Sequence, residues 1–489
     1  MSYSIRVDRT DTEAYRVQVV RYANRKPVVL KHIGTAHTEA ELAKLKKSAA
    51  DWITTHPHQP QLFPSDVINM RDCEYRGFRY TFAHEFLHRL CRRFDFTSLH
   101  DHILTDLVIV RIFEPASKLR SLTLLSQYFN ITHSESALYR SLRRFPGLKE
   151  SVEEKLVAIA KKEFGFDFSF VLYDVTTLYF ETFKSDKLRK PGFSKDNKAQ
   201  QPQIAIGLMV TSEGFPVSYE VFAGNTFEGA TFLPSILAFK SLHNIGTLTI
   251  VADAAMLSFD NIQKLVAHNL TYIVGARLRN ISSELLETID ATLPREDGAT
   301  ARISTPHGDL VYAYSHKRYI KDLSDMNKHI RKAEGQVQHP GKMKRAKFVS
   351  ATAHTVSLND ALIARTKKLL GVKGYYTNLI AVSNANIIAH YHSLWNIEQA
   401  FRIAKSDLAS RPIFHRKEVS IRAHMLICVM ALSISKYIEI KTRQSIRSVL
   451  DICKSVTDAV IHHRRDGQNI IMRTPIPDTM TTIEEIVSH

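Results

Sequence analysis

The rhythm of apolar and polar positions changes several times along this chain. Over residues 3–34, YRVQVVRY alternates, NRK can turn the chain and PVVLKHIG follows as a second strand, which predicts a small β unit. TEAELAKLKKSAADW, from Thr38 to Trp52, has amphipathic helical spacing, and the proline-bearing HPHQPQLFPSD reads as a linker. Residues 78–165 then hold helical stretches with short breaks: FRYTFAHEFLHRLCRRF, HDHILTDLVIVRIF, EPASKLRSLTLLSQYF and VEEKLVAIAKKEF. Within this block, ITHSESALYRSLRRF has a Ser-rich lead and a basic face, which suits a DNA-contacting helix as well as an ordinary solvated one.

A buried-strand pattern begins at Phe168. FSFVLYDV carries Asp174 near its C-terminal end, and QPQIAIGLMVT and FPVSYEVFAGN are two further strands joined at the Glu213-Gly214 turn signal. A helix (TFLPSILAFKSLH), the strand LTIVAD ending on Asp253, a helix (DNIQKLVAHN) and the strand TYIVGARL complete the run. Strands joined first by hairpin-length connections and then by helices predict a mixed α/β sheet. Both aspartates fall at strand C-terminal ends, where α/β folds gather ligands and catalytic groups.

Residues 277–385 break the pattern. TARISTPHGDLVYAYSHKRY suggests strands, and a basic run follows that includes Lys317, Arg318, Arg331, Lys332, Lys344 and Arg345. That run reads either as a solvated insertion or as a phosphate-contacting arm. From Ile387 to Leu408, IIAHYHSLWNIEQAFRIAKSDL has no Gly or Pro, and its apolar residues predict one long helix. At ~100° per residue, Leu394, Ile397, Phe401, Ala404 and Leu408 share one core-facing arc. Tyr391, Glu398 and Lys405, seven apart, form a file along its edge, each ~20° from the last. SIRAHMLICVMALSISKYIEI predicts a second apolar helix, and from about Arg443 helix-like and Pro-broken stretches alternate without an evident role.

At 489 residues the chain exceeds a single core, and its 44% hydrophobic and 24% charged residues place it among soluble globular proteins. No apolar run approaches the ~20 residues of a membrane span, and MSYSIRVDRT lacks a signal-peptide stretch. The expected location is therefore the cytoplasm, on the nucleoid when bound to DNA. Cys73, Cys91, Cys428 and Cys453 form no CxxC pair, which removes a zinc knuckle or disulfide framework. A net charge of +17 favours a polyanionic partner, nucleic acid before an anionic membrane surface.

Two constellations could carry chemistry. Asp174, Asp253 and Glu398, brought to one sheet edge, would supply the oxygen-rich site that two Mg²⁺ ions require. Such a pair of ions supports in-line displacement at a phosphodiester. Against this stands His84-Glu85-Phe86-Leu87-His88, a literal HExxH, the zinc-protease pattern of two His ligands one turn apart with Glu as base. RLCRRF follows in place of the extended metzincin motif, leaving Glu114 as a conceivable third ligand.

The chain resembles DDE-type insertion-sequence transposases, in the branch whose third acid sits in a Tyr-x2-Arg-x3-Glu-x6-Lys signature. Tyr391, Glu398 and Lys405 match that spacing; the Arg position is Leu394, and Arg402 stands eight residues on, ~80° from it on the wheel. The resemblance extends over RIFEPASKL, DVTTLYFE, FAGNTFEGATF, VADAAMLSFDN, GVKGYYTNL, RPIFH and IRAHM. It implies a ribonuclease H-like mixed-sheet core with an insertion domain before the last acidic helix. It also implies catalytic, metal-holding Asp174, Asp253 and Glu398, Mg²⁺ as cofactor with Mn²⁺ able to substitute, and a homodimer assembled on paired ends. The partners implied are terminal inverted repeats and target DNA, contacted by Tyr391, Arg402, Lys405 and the basic run. An alternative is a transposase-derived DNA-binding protein without catalysis. The expected division is 1–60, a small β unit and helix; 61–165, a helical DNA-binding region; 166–276 and 386–440, the two parts of the core; 277–385, the basic insertion; and 441–489, without an assigned role.

Overall fold

The structure, a computed structural model, describes residues 3–10, 14–23, 26–56, 70–193, 200–254, 258–339, 347–351, 356–464 and 467–488. Most of the linker read at HPHQPQLFPSD lies outside them. The chain forms two compact units, Met1–Glu74 with His463–Gln468, and Tyr75–His462 with Asn469–His489.

In the first unit, β1 (Tyr3–Arg9), β2 (Tyr15–Ala23) and β3 (Lys26–Ala36) form an antiparallel meander. Helix α1 (Glu39–Thr55) starts where the Thr38 side chain accepts the Glu41 N–H. That bond satisfies a donor the first helical turn leaves open. Val17 and Val19 of β2 and Ala49 of α1 make the core.

The second unit begins within β4 (Cys73–Arg79), at Tyr75, and continues with the helices α2 (Thr81–Arg93), α3 (His102–Phe113), α4 (Lys118–Leu124), α5 (Glu135–Arg144) and α6 (Lys149–Phe164). Asp101, Ser117 and Ser134 cap α3, α4 and α5, accepting the N–H of Leu104, Arg120 and Ala137.

The sheet is built from β5 (Val171–Tyr179), β6 (Gln203–Val210) and β7 (Pro216–Ala223), then α7 (Glu228–Leu242), β8 (Thr249–Ala252), α8 (Phe259–Ala267) and β9 (Thr271–Ala276). After α9 (Ser283–Thr292) come β10 (Thr300–Thr305), β11 (Gly308–Tyr314) and α10 (His316–Gln338). The short hairpin β12 (Val349–Ala351) and β13 (Val356–Leu358), α11 (Asp360–Lys368) and β14 (Val372–Thr377) follow. Eight strands share one sheet in the order β10-β11-β14-β9-β8-β5-β6-β7. Strands β5, β8 and β9 run parallel and the remaining neighbours antiparallel, so the sheet is mixed.

Two sequence readings shift here. Asp174 lies inside the nine-residue strand β5 and not near its end; it stands where the shorter neighbour β8 stops. The boundary drawn at 277 does not coincide with a sheet edge, because β10, β11 and β14 extend the same sheet. Between them, α10, Phe348, α11 and Leu370 enclose a small core of their own with Met326, Ala333 and Ile363.

The stretch read as one helix is two: α12 (Asn384–His392) and α13 (Trp395–Arg402), followed by a π turn at Ile403–Asp407. At the break the Ser393 hydroxyl donates to the Ala389 carbonyl (3.2 Å), and the N–H groups of Leu394 and Asn396 reach back three residues. The Asn396 amide donates to the Ser212 carbonyl (2.6 Å), tying the start of α13 to the β6–β7 turn. Side-chain bonds of this kind compete with the helical ladder and end it locally. The wheel that aligned Tyr391 with Glu398 and Lys405 therefore does not carry across Ser393.

Helix α14 (Glu418–Thr442) corrects the membrane-length reading. An 18-residue window in it has mean hydropathy 1.5, enough by length and composition to cross a bilayer, but 89% of that window is buried inside the protein. It is the core helix of the second unit, packed against α3 and α5. The remaining elements are α15 (Ile446–Ser455), β15 (Asp458–His463), β16 (Asn469–Arg473) and α16 (Asp478–Ser488). Tyr437 of α14 donates to the Val487 carbonyl of α16 (3.2 Å), and Met480, Ile483 and Val487 are buried. The C-terminal segment thus completes the core.

Candidate active site

Strands β5 and β8 pair in parallel with Tyr173 opposite Ala252. The next residue on each is an acid, so Asp174 and Asp253 occupy neighbouring positions on adjacent strands, ~5 Å apart in the backbone. Helix α13 brings Glu398 to the same place. The three carboxylates line one cavity of about 350 Å³, together with Lys373, Tyr391, His392, Leu394, Trp395 and Ile397. Three elements far apart in sequence thus converge, as the sequence expects of its three acids. Among the described residues, no three His, Cys, Asp or Glu side chains already stand at metal-ligating spacing.

Tyr391, expected as a DNA contact, faces the acids. It is buried, and its hydroxyl donates to Asp253 Oδ1 (2.9 Å). The Ala254 N–H donates to the same oxygen (2.7 Å), leaving Oδ2 without a hydrogen bond among the described residues. Burial first, then the Asp253 charge, pushes the Tyr391 phenol far above its ordinary pKa, so it remains a donor. The Tyr375 ring lies against it at 4.7 Å between centroids. Gly275 in β9 makes the approach possible: a Cβ there would stand 2.5 Å from the Tyr391 hydroxyl.

The residue that sequence reasoning missed is Lys373. It projects from β14 into the carboxylate cavity, its ammonium 4.4 Å from the Tyr391 ring centroid and 5.5 Å from that of Tyr375. Burial and then Arg318 draw its pKa below that of a free lysine, while Asp253 and Glu398 oppose them. The signal was a single cation within the otherwise buried run VKGYYT. His392 is held below its ordinary pKa by burial and by Lys373, which favours the neutral ring.

A second cavity, of about 620 Å³, shares Asp253, Lys373 and Tyr391 with the first and runs toward α10 and α11. Arg277, Arg279, Arg318, Lys347 and Arg365 line it. Of the candidate DNA-contacting cations among the described residues, only Arg318 reaches this cavity, with its guanidinium 3.3 Å from Asp322. Lys317, Arg331 and Lys332 are exposed on the same helix α10. Arg402 is exposed at the end of α13, and Lys405 is half-buried in the π turn; neither lines the carboxylate cavity. Lys344 and Arg345 lie outside the described residues.

The HExxH residues do other work. Glu85 takes both its bonds from Arg473 (3.0 Å each), which also binds Asp458. His84 and His133 both face Asp106, at 3.4 and 2.6 Å. A carboxylate engaged at both oxygens by a guanidinium is not poised as a base, which corrects the zinc-protease alternative.

Residues 165–434 match the family described as Transposase DDE domain. The chain belongs to this transposase family. The match spans β5 to most of α14 and so contains all three acids. Among solved structures, one similar chain is that of the piggyBac transposase synaptic complex with hairpin DNA, at 10% identity and a TM-score of 0.37, covering 71% of this chain and 68% of that one. No curated protein matches the chain in sequence. The protein is a DNA transposase, and its fold is a mixed α/β sheet consistent with a ribonuclease H-like core.

In this transposase the Tyr391–Asp253 bond fixes one acid. Tyr391→Phe removes a hydrogen bond to a charged group, worth ~1.5–3 kcal/mol, so DNA cleavage should slow by about 10- to 100-fold. End binding and its salt dependence should stay as in the wild type, measured by titration at several salt concentrations. A phosphate contact by the hydroxyl would instead weaken binding.

Proposed function

We propose that this transposase cuts DNA at the ends of its own insertion sequence and joins the freed 3′-OH to target DNA, at one centre built from Asp174, Asp253 and Glu398. The observation that supports this is the convergence of the three acids from β5, the end of β8 and α13 on one cavity. Hard oxygen donors suit Mg²⁺, with Mn²⁺ able to replace it. Asp253 Oδ2 and the Glu398 carboxylate carry no hydrogen bond among the described residues, which fits that donor set. When bound, two such ions would supply Lewis-acid activation of the attacking and leaving oxygens.

The chain's own residues supply the rest. Asp174 and Asp253, fixed on paired strands, and Glu398, fixed on α13, hold the reacting phosphate's surroundings in place. Tyr391 keeps Asp253 from rotating. In the first step a water oxygen forms a bond to phosphorus at the element end, the P–O3′ bond breaks, and the 3′ oxygen leaves as a hydroxyl. In the second, that hydroxyl attacks a target phosphodiester in the same manner. Arg402, Lys405, Lys317, Arg318, Arg331, Lys332, Lys344 and Arg345 would hold neighbouring phosphates, which position DNA without reading it. Leu394 stands where the Tyr-Arg-Glu-Lys branch has its Arg, and we place the chain in that branch on Tyr391, Glu398 and Lys405. A homodimer on paired ends, acting in the cytoplasm at the nucleoid, completes the reading.

The test is incubation of the full chain with DNA carrying the flanking terminal repeats. With Mg²⁺, nicks exposing a 3′-OH at the repeat boundary are expected, and none with EDTA. Uncut DNA under conditions where the protein binds it would overturn the reading.

A further inference from the structure

We propose that Lys373 is a catalytic residue of this transposase, its ammonium binding a non-bridging oxygen of the DNA phosphate that enters the carboxylate cavity. The inference rests on the proposed function and names a residue that function does not require. Among the described residues lining that cavity, Lys373 is the one Lys or Arg. It also lines the adjoining basic cavity, so it stands where the acidic wall meets the basic one.

Its backbone is fixed. Strand β14 is paired on both sides, with Lys373 opposite Ala313 of β11 and its neighbour Gly374 opposite Ala276 of β9. Its side chain rests on the faces of Tyr391 and Tyr375. Among the described residues no ion pair or hydrogen bond engages its ammonium. A lysine placed only to neutralise the acids would pair directly with one of them. Lys373 instead stays unpaired in a half-buried cavity, held by aromatic faces that attract cations without consuming their hydrogen-bond donors. Its three N–H donors remain available to an anion. A phosphate drawn to the acid cluster meets repulsion from the carboxylates, and an aimed cation in a partly desolvated site offsets that as negative charge builds on the phosphoryl oxygens.

Lys373→Met keeps the alkyl stem over the two tyrosines and removes only the charge. Two measurements follow, with Lys373→Arg as the charge-retaining control. In Ca²⁺, end binding by Lys373→Met should show a log-affinity against log-salt slope flatter by about one unit, with Lys373→Arg close to wild type. In Mg²⁺, Lys373→Met should cleave ~100- to 1,000-fold more slowly, the loss typical of removing one aimed donor. An unchanged slope overturns the phosphate contact, whether or not cleavage falls; a fall in cleavage with an unchanged slope would make Lys373 a positioning residue for the acids. Wild-type protein that binds ends yet never cuts them would defeat the proposed function, while the slope would still decide the phosphate contact.

Discussion

Asp174→Asn, Asp253→Asn and Glu398→Gln should each reduce cleavage of element-end DNA by at least about a thousandfold while leaving end binding within about twofold. Each change removes a charge with little change in volume, so packing of β5, β8 and α13 is preserved. Losing one oxygen donor set removes several kcal/mol of transition-state stabilisation, and ~1.4 kcal/mol is a factor of ten. None of the three carboxylates is buried, so neutralising any one should cost little stability. Thermal unfolding should show melting temperatures within a few degrees of wild type. Near-normal cleavage by any one variant would remove that residue from the centre.

Gly275→Ala should be the most damaging single methyl group at the site. The added Cβ would meet the Tyr391 hydroxyl at 2.5 Å and the Ala254 backbone nitrogen at 3.1 Å. One neighbour carries the bond to Asp253 and the other is backbone, so neither yields cheaply. Overpacking of this kind costs ~1–3 kcal/mol. Displacing the phenol also frees Asp253 and pushes on α12, which leads into α13 and Glu398. Cleavage should therefore fall by ~100-fold or more, beyond Tyr391→Phe, since both the hydrogen bond and the helix position are disturbed. The double variant Gly275→Ala/Tyr391→Phe should recover part of the loss, because removing the hydroxyl relieves the contact. A double variant no better than Gly275→Ala alone would place the damage in β9 itself.

The place of Asp253 was legible because strand patterns are short and bounded: LTIVAD ends on Asp253, one residue past the end of β8. FSFVLYDV misled slightly, since β5 runs on through Tyr179 beyond the end of its shorter partner. Residues 300–314 and 372–377 read as part of an insertion because the basic run between them dominates the composition. Sheet membership is decided by pairing with β9, which no local pattern reports. The break between α12 and α13 was illegible for a similar reason. HSLWN contains no Gly or Pro, and the bond that anchors Asn396 comes from Ser212, distant in sequence. With that break unseen, the seven-residue spacing put Tyr391 in a file of DNA contacts, whereas the structure turns its hydroxyl onto Asp253. Lys373 escaped notice because one lysine in an apolar strand carries no periodic signature.

Asp174, Asp253 and Glu398 together are proposed to form one metal centre. Its most direct test is Mn²⁺ titration of the protein bound to end DNA, followed by electron paramagnetic resonance. Two ions should bind per chain in the wild type, with binding weakened at least about tenfold in each of Asp174→Asn, Asp253→Asn and Glu398→Gln, since carboxylates are the ligands such ions require. Mn²⁺ binding that is unchanged in all three variants would contradict it.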